Sequence, residues 1–177
     1  MNKTASKNKQ RGRAFQAKLA EMSGGMNIGT LGGEDVMHEE FSYEAKTYHP
    51  KAKSNKGRMW VGEKIMSELE EKYGAPVLGK VVTTDSNEPI VIMRWNFWNA
   101  LSEEDKDDSF NVLIPKVVMK NRFKGRTYMK QAESNCPDGK VPVVVVHTIG
   151  ERHVKDIVLI YSIYWNSLLK KLFDKNV

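Results

Sequence analysis

The chain has 177 residues, 40% of them apolar, and 28 Lys+Arg against 22 Asp+Glu give it a net charge of +6 and a pI near 9.3. That length suits one compact domain with a full core better than two independent ones, and the positive balance favours a polyanionic partner, nucleic acid first. A single cysteine, Cys136, excludes an internal disulfide framework and a multi-cysteine metal site, and no run reaches the length of a membrane span, so a cytoplasmic chain without a membrane partner is expected.

Residues 1–13 carry Lys3, Lys7, Lys9, Arg11 and Arg13 with no acid and read as a mobile basic arm, either solvated or in contact with phosphates. A helix is expected over 14–22, where Phe15, Leu19 and Met22 alternate with Gln16, Lys18 and Glu21, and Gly24-Gly25 stops it. A short strand or loop over 26–31 and a Gly32-Gly33 turn lead to a strand that starts at Val36-Met37. In the next strand, 41–48, Tyr43, Ala45 and Thr47 alternate with Ser42, Glu44 and Lys46, which places Glu44 and Lys46 on one face. A basic, turn-rich loop with Lys51, Lys53, Lys56 and Arg58 follows, then an amphipathic helix over 59–73 that ends at Gly74. Strands over 77–83 and 89–94 are joined by the turn Asp85-Ser86-Asn87.

The acidic stretch 102–108 is the clearest internal boundary, and beyond it the pattern recurs. Lys56-Gly57-Arg58 matches Lys124-Gly125-Arg126, Ile90-Val91 matches Ile157-Val158, and Trp98-Asn99 matches Trp165-Asn166, with the second unit starting near Phe110. These matches predict a degenerate repeat of a strand, helix, strand, strand, helix unit in which only the first copy keeps Glu44 and Lys46. The expected organisation is an arm (1–13), a core with the motif (14–104) and a second α/β unit (105–177) packed on or completing that core. Of the two assemblies, closure of the core by residues 59–101 is preferred over closure by 125–172, because it needs no long excursion between the strand and its helix.

The Gly32-Gly33-Glu34-Asp35 turn followed by Glu44-Ala45-Lys46 is the constellation with chemical content. Glu70-Glu71-Lys72 and Glu104-Asp105-Lys106 share the spelling but fall in a charged helix end and an acidic loop. Mg²⁺ prefers hard oxygen ligands and keeps several waters, so Asp35, Glu44, the Ala45 carbonyl and a substrate phosphate suit it. A lysine one side chain along the same face can orient a water and offset developing negative charge.

These motifs, with Arg11-Gly12-Arg13-Ala14-Phe15-Gln16 before them, resemble the PD-(D/E)xK nuclease superfamily, particularly its archaeal and phage Holliday junction resolvase-like members. The resemblance implies a restriction-endonuclease-like mixed sheet flanked by helices, with Asp35, Glu44 and Lys46 as catalytic residues. It also implies Mg²⁺, with Mn²⁺ as a substitute, held by Asp35, Glu44 and the Ala45 carbonyl. The implied activity is endonucleolytic cleavage of DNA, branched DNA first, by a homodimer in recombination; a phage nuclease on linear or nicked DNA and a non-catalytic DNA-binding protein of decayed fold are the alternatives. Gln16 stands where archaeal members usually place a glutamate, and Glu34 or Glu21 is the candidate replacement. Tyr128-Met129-Lys130-Gln131 resembles the helix after the catalytic strand, where a glutamine often contacts the site. DNA contacts are expected from Lys9, Arg11, Arg13, Gln16, Lys51, Lys53, Lys56, Arg58, Arg126 and Gln131. The tryptophans are expected in the core, and His38, His49, His147 and His153 in structural roles without metal spacing, with phosphate contact the alternative for His49 beside the strand.

Overall fold

The two periodicities of the sequence resolve in a computed structural model that describes residues 3–29, 31–74, 77–84, 87–102, 114–120 and 122–174. Helix α1 (Lys3–Ser23) leads into strands β1 (Met26–Asn27), β2 (Val36–Met37) and β3 (Phe41–Tyr48), then α2 (Val61–Tyr73), β4 (Gly79–Thr83), β5 (Ile90–Arg94) and α3 (Trp95–Ser102). After these come β6 (Lys116–Met119), α4 (Lys124–Asn135), β7 (Val141–Thr148), a 3₁₀ turn (His153–Lys155), β8 (Ile157–Tyr161) and α5 (Ser162–Asp174). All eight strands join one mixed sheet in the order β1-β2-β3-β7-β8-β5-β4-β6. The pairs β3/β7 and β4/β6 are parallel and the rest antiparallel.

Strands β5, β7 and β8 carry the apolar runs Ile90–Met93, Val141–Val146 and Ile157–Tyr161 because helices cover the sheet on both faces. On one face Phe15 and Leu19 of α1 pack with Trp98, Trp165, Tyr43, Val143 and Val145. On the other, Met66 of α2 and Met129 of α4 pack with Val144, Val146 and Leu159. Each fully buried Val, Leu or Met side chain stabilises by about 1.5–3 kcal/mol. The tryptophans Trp60, Trp95, Trp98 and Trp165 are buried as expected.

Two expectations are corrected by this architecture. Residues 3–13 continue the helix instead of preceding it, since the strong helix formers Ala, Lys, Gln and Arg outweigh the weaker Thr4, Ser6, Asn8 and Gly12. The core around β3 is closed by the second half of the chain: β7 pairs with β3 along its whole length, and α4 packs on both. Residues 61–119 form the excursion, and it is accommodated because β5 aligns with β8 over five residue pairs and simply extends the sheet. The acidic stretch 103–108, the turn at Asp85-Ser86 and Phe110 lie outside the described residues. Among the described residues, no helix is long and apolar enough to cross a membrane.

Candidate functional site

Strand β3 presents Glu44 and Lys46 on the face covered by α4, as their spacing requires. Glu44 is 3% exposed, and its Oε1 accepts a hydrogen bond from Lys46 Nζ at 2.7 Å. Lys46 Nζ also donates to Gln131 Oε1 at 2.9 Å, and Asn135 Nδ2 donates to Glu44 Oε2 at 3.3 Å. Gln131 and Asn135 are one helical turn apart on α4, so a single face of that helix holds both partners of the strand motif.

Asp35 reaches the same strand from the turn before β2. Its main-chain N–H donates to Tyr43 O at 3.1 Å, and its Oδ2 accepts from the Ala45 N–H at 2.8 Å. Its Oδ1 accepts from Gln16 Nε2 at 2.7 Å, which ties the site to α1. A side chain at Gly29 would bring a Cβ to 2.8 Å from Gln16 Oε1 and 3.1 Å from Asp35 Oδ1, so it would displace the Gln16 amide from its place beside Asp35. Burial raises the Asp35 carboxyl pKa; the Ala45 amide opposes that rise, the Glu44 charge adds to it and the Lys46 charge opposes it. Asp35, Glu44 and Lys46 thus lie close enough to act on one another electrostatically, and the two carboxylates are hard oxygen donors of the kind a divalent cation takes.

Beside the site an open groove is lined by Lys9, Gly12, Arg13, Gln16 and Gly29. Gln16 belongs to both, so the basic face of α1 runs into Asp35. Lys51, Lys53, Lys56 and Arg58 are exposed on the loop that leaves β3, and Tyr48 Oη anchors that loop by donating to Arg58 O at 2.6 Å.

Several expected residues stand elsewhere. Arg126 is 5% exposed and donates to Thr83 Oγ1 and Glu88 O, so it braces β4 instead of facing a nucleic acid. Glu21 is exposed on the solvent side of α1 and pairs with Lys18 at 3.0 Å, away from Asp35. Glu34 is 4% exposed and turns toward Lys140, whose Nζ is 3.5 Å from its Oε1. There it neighbours Cys136, whose thiol pKa is raised by burial, lowered by a hydrogen bond with Ser42 and raised by the Glu34 charge.

Two of the four histidines form a cluster with Asp156 that the sequence conceals. His147 Nδ1 lies 2.7 Å from Asp156 Oδ1 and His153 Nδ1 lies 3.0 Å from Asp156 Oδ2, with the two imidazoles stacked at 4.4 Å and Phe15 stacked against His147. These three residues could hold a metal ion, contrary to the expectation of histidines without metal geometry. Asn135 joins the site from the same helix face, and its spacing of four from Gln131 is the sequence signal for it.

Comparison of the chain with protein-family models, with curated proteins and with solved structures found no match.

Proposed function

We propose that this protein is a divalent-metal-dependent endodeoxyribonuclease of the PD-(D/E)xK type. The observation that carries the reading is the Ala45 amide bound to Asp35 Oδ2 at 2.8 Å, which brings the Asp35 carboxylate to the peptide between Glu44 and Lys46. A third residue then comes from a distant part of the chain: Gln131 meets Lys46 at 2.9 Å, in the role that the resemblance assigns to it. A surface ion pair of Glu44 with Lys46 alone would require neither contact.

In this reading Asp35 and Glu44 hold Mg²⁺, with the Ala45 carbonyl as a further oxygen donor, and the bound ion supplies Lewis acidity and an acidified water. Lys46, oriented by Glu44 and Gln131, positions the attacking water and offsets charge that builds on the phosphate. Asn135 fixes the second oxygen of Glu44, and Gln16 fixes the second oxygen of Asp35. The groove at Lys9 and Arg13 and the loop at Lys51, Lys53, Lys56 and Arg58 supply phosphate contacts on either side of the site. Branched DNA is the first substrate, and paired incision of a junction takes two such sites, hence two chains.

The test is cleavage with Mg²⁺ or Mn²⁺ of four-way junction, flap, linear and single-stranded DNA, comparing wild type with Glu44→Ala. Cleavage by wild type alone supports the reading. Equal activity of both proteins would sink the site, and indifference to junction structure would remove only the preference for branched DNA.

A further inference from the structure

Sheet registers relate the two halves of this chain more closely than their sequences do. In the β5/β8 ladder Ile90 faces Tyr161, Ile92 faces Leu159 and Arg94 faces Ile157. Matching Ile90 to Ile157 and Ile92 to Leu159 turns that ladder into itself, so a twofold axis passes through the Ile92 and Leu159 pair. The same rotation exchanges β4/β5, where Gly79 faces Ile92, with β7/β8, where Val144 faces Leu159. It also exchanges the parallel pair β4/β6 with the parallel pair β3/β7.

Helices obey the same relation. The buried set Gly62, Met66, Leu69 of α2 matches Gly125, Met129, Ala132 of α4 at constant spacing. At each start an aromatic residue two positions before the glycine, Trp60 or Phe123, occupies the space that a glycine Cβ would need. Trp98 and Trp165 match on α3 and α5. The anchor expected at Lys56-Gly57-Arg58 is displaced, because Gly57 is a turn residue with φ of 70° whereas Gly125 lies inside α4. Each unit lends its first strand to the other half of the sheet, an exchange of equivalent elements within one chain.

Carried through the registers, Lys46, opposite Val146, corresponds to Val117, opposite Val81, and Glu44 to Pro115 one position before Lys116. Gln131 corresponds to Glu68 by the helix spacing. Among the described residues, the far lobe thus repeats the scaffold with Pro115, Val117 and Glu68 in the places of Glu44, Lys46 and Gln131.

What the far lobe retains is charge. Lys120, Arg122 and Lys124 are exposed on the segment from β6 to α4, and residues 114–124 contain no acid. This segment is the counterpart of the acid-free 49–58 loop, and beneath them Trp60, two residues past the loop, stacks on Phe123 at 6.4 Å in the core. Lys124 Nζ and Lys46 Nζ both lie 5.8 Å from the centre of the Tyr128 ring, so the second segment ends beside the candidate site.

We propose that the chain is an internal pseudo-dimer in which one lobe cuts and the other only holds, with Lys120, Arg122 and Lys124 forming, together with the 49–58 loop, one continuous surface for the phosphates of duplex DNA. The binding half of this inference stands without catalysis. Its consequence, one incision per bound chain, rests on the nuclease reading.

Binding is read by fluorescence anisotropy of labelled duplex and four-way DNA in Ca²⁺ over a salt series. Lys120→Glu/Arg122→Glu/Lys124→Glu and Lys51→Glu/Lys53→Glu/Lys56→Glu are compared with wild type, with thermal melts as a folding control. Each phosphate contact contributes about 0.9 to the slope of log affinity against log salt, so either triple variant lowers the slope by up to about three and the affinity about tenfold or more. Unchanged affinity and slope for the 120–124 variant overturn the shared surface. Incision is read on supercoiled plasmid with Mg²⁺ and chain in stoichiometric amount: nicked circles precede linear product. Linear product without a nicked intermediate, from protein that sedimentation shows to be monomeric, overturns the one-site pseudo-dimer. A wild type that binds but cuts nothing defeats the nuclease reading instead, and the anisotropy comparison still decides the surface.

Discussion

Asp35 Oδ2 accepts the main-chain N–H of Ala45 at 2.8 Å while its Oδ1 accepts the amide of Gln16 at 2.7 Å, so both carboxylate oxygens are occupied by neutral donors in a partly buried position. Burial first, and then the Glu44 charge, raise its pKa against the opposing pulls of the Ala45 amide and Lys46. The folded state therefore holds the proton more tightly than the unfolded chain. Stability from this group is full below the ordinary carboxylate range and falls as pH rises through the raised value. Asp35→Asn removes that loss and can keep both hydrogen bonds, because the Gln16 amide can turn to offer its oxygen. The variant should be inactive and melt higher than wild type at neutral pH without added metal, with the difference shrinking in acid. A lower melting point at neutral pH would show that the charge is not a liability there.

Asn135 touches Glu44 from α4 at 3.3 Å and carries no charge, so it acts only by holding Glu44 Oε2 in place. Partners of this kind typically account for about 10–100-fold in metal affinity or activity. Asn135→Ala should raise the Mg²⁺ concentration needed for half-maximal cleavage by about that factor, and excess Mg²⁺ should restore part of the rate. Loss of rate without any change in metal dependence would assign Asn135 to substrate contact instead.

Much of this arrangement was readable before any fold was known, and the limits have physical causes. The two-residue alternation of β3 alone puts Glu44 beside Lys46, and the Gly-Gly-Glu-Asp turn puts Asp35 within reach of it. Loop length alone points to the wrong closure of the core, because strand pairing outweighs it. Five residue pairs between β5 and β8 make a long excursion acceptable, and no local pattern encodes that pairing. Arg126 reads as a surface cation in any basic helix start, and only the tertiary position of Thr83 and Glu88 turns it inward. The His147 cluster is invisible for the same reason, since one histidine lies on a strand and the other on a turn that β7 and β8 bring back against it.

Lys46 has two acceptors, Glu44 Oε1 and Gln131 Oε1, and its Nζ lies near the Tyr128 ring. Lys46→Met keeps most of the apolar stem and removes only the ammonium, which leaves the carboxylates with less compensation. Mg²⁺ should then bind at least as tightly in calorimetry while the single-turnover cleavage rate falls about 10²–10³-fold, the usual worth of one positioned donor to developing negative charge. Weakened Mg²⁺ binding with an unchanged rate would reverse this division of labour. Gln131→Ala should move the rate in the same direction by a smaller factor, since Glu44 still holds the lysine.

Asp156 is 1% exposed and joins three elements through His147, His153 and its own main chain, whose carbonyl accepts from Trp95 N at 2.8 Å. Its side chain bonds to neither Asp35, Glu44 nor Lys46, so its removal tests stability apart from the chemistry proposed for those three. Asp156→Ala strips the buried His147 ring of its acceptor, and an unmade buried hydrogen bond costs about 1–3 kcal/mol. In a domain of this size each kcal/mol lowers the melting temperature by about 2–4 °C. Asp156→Asn keeps an acceptor for one histidine and should fall between the two proteins. If Asp156→Ala melts with wild type, the cluster does not brace the fold, and the three side chains are then free of any structural duty that would compete with metal binding.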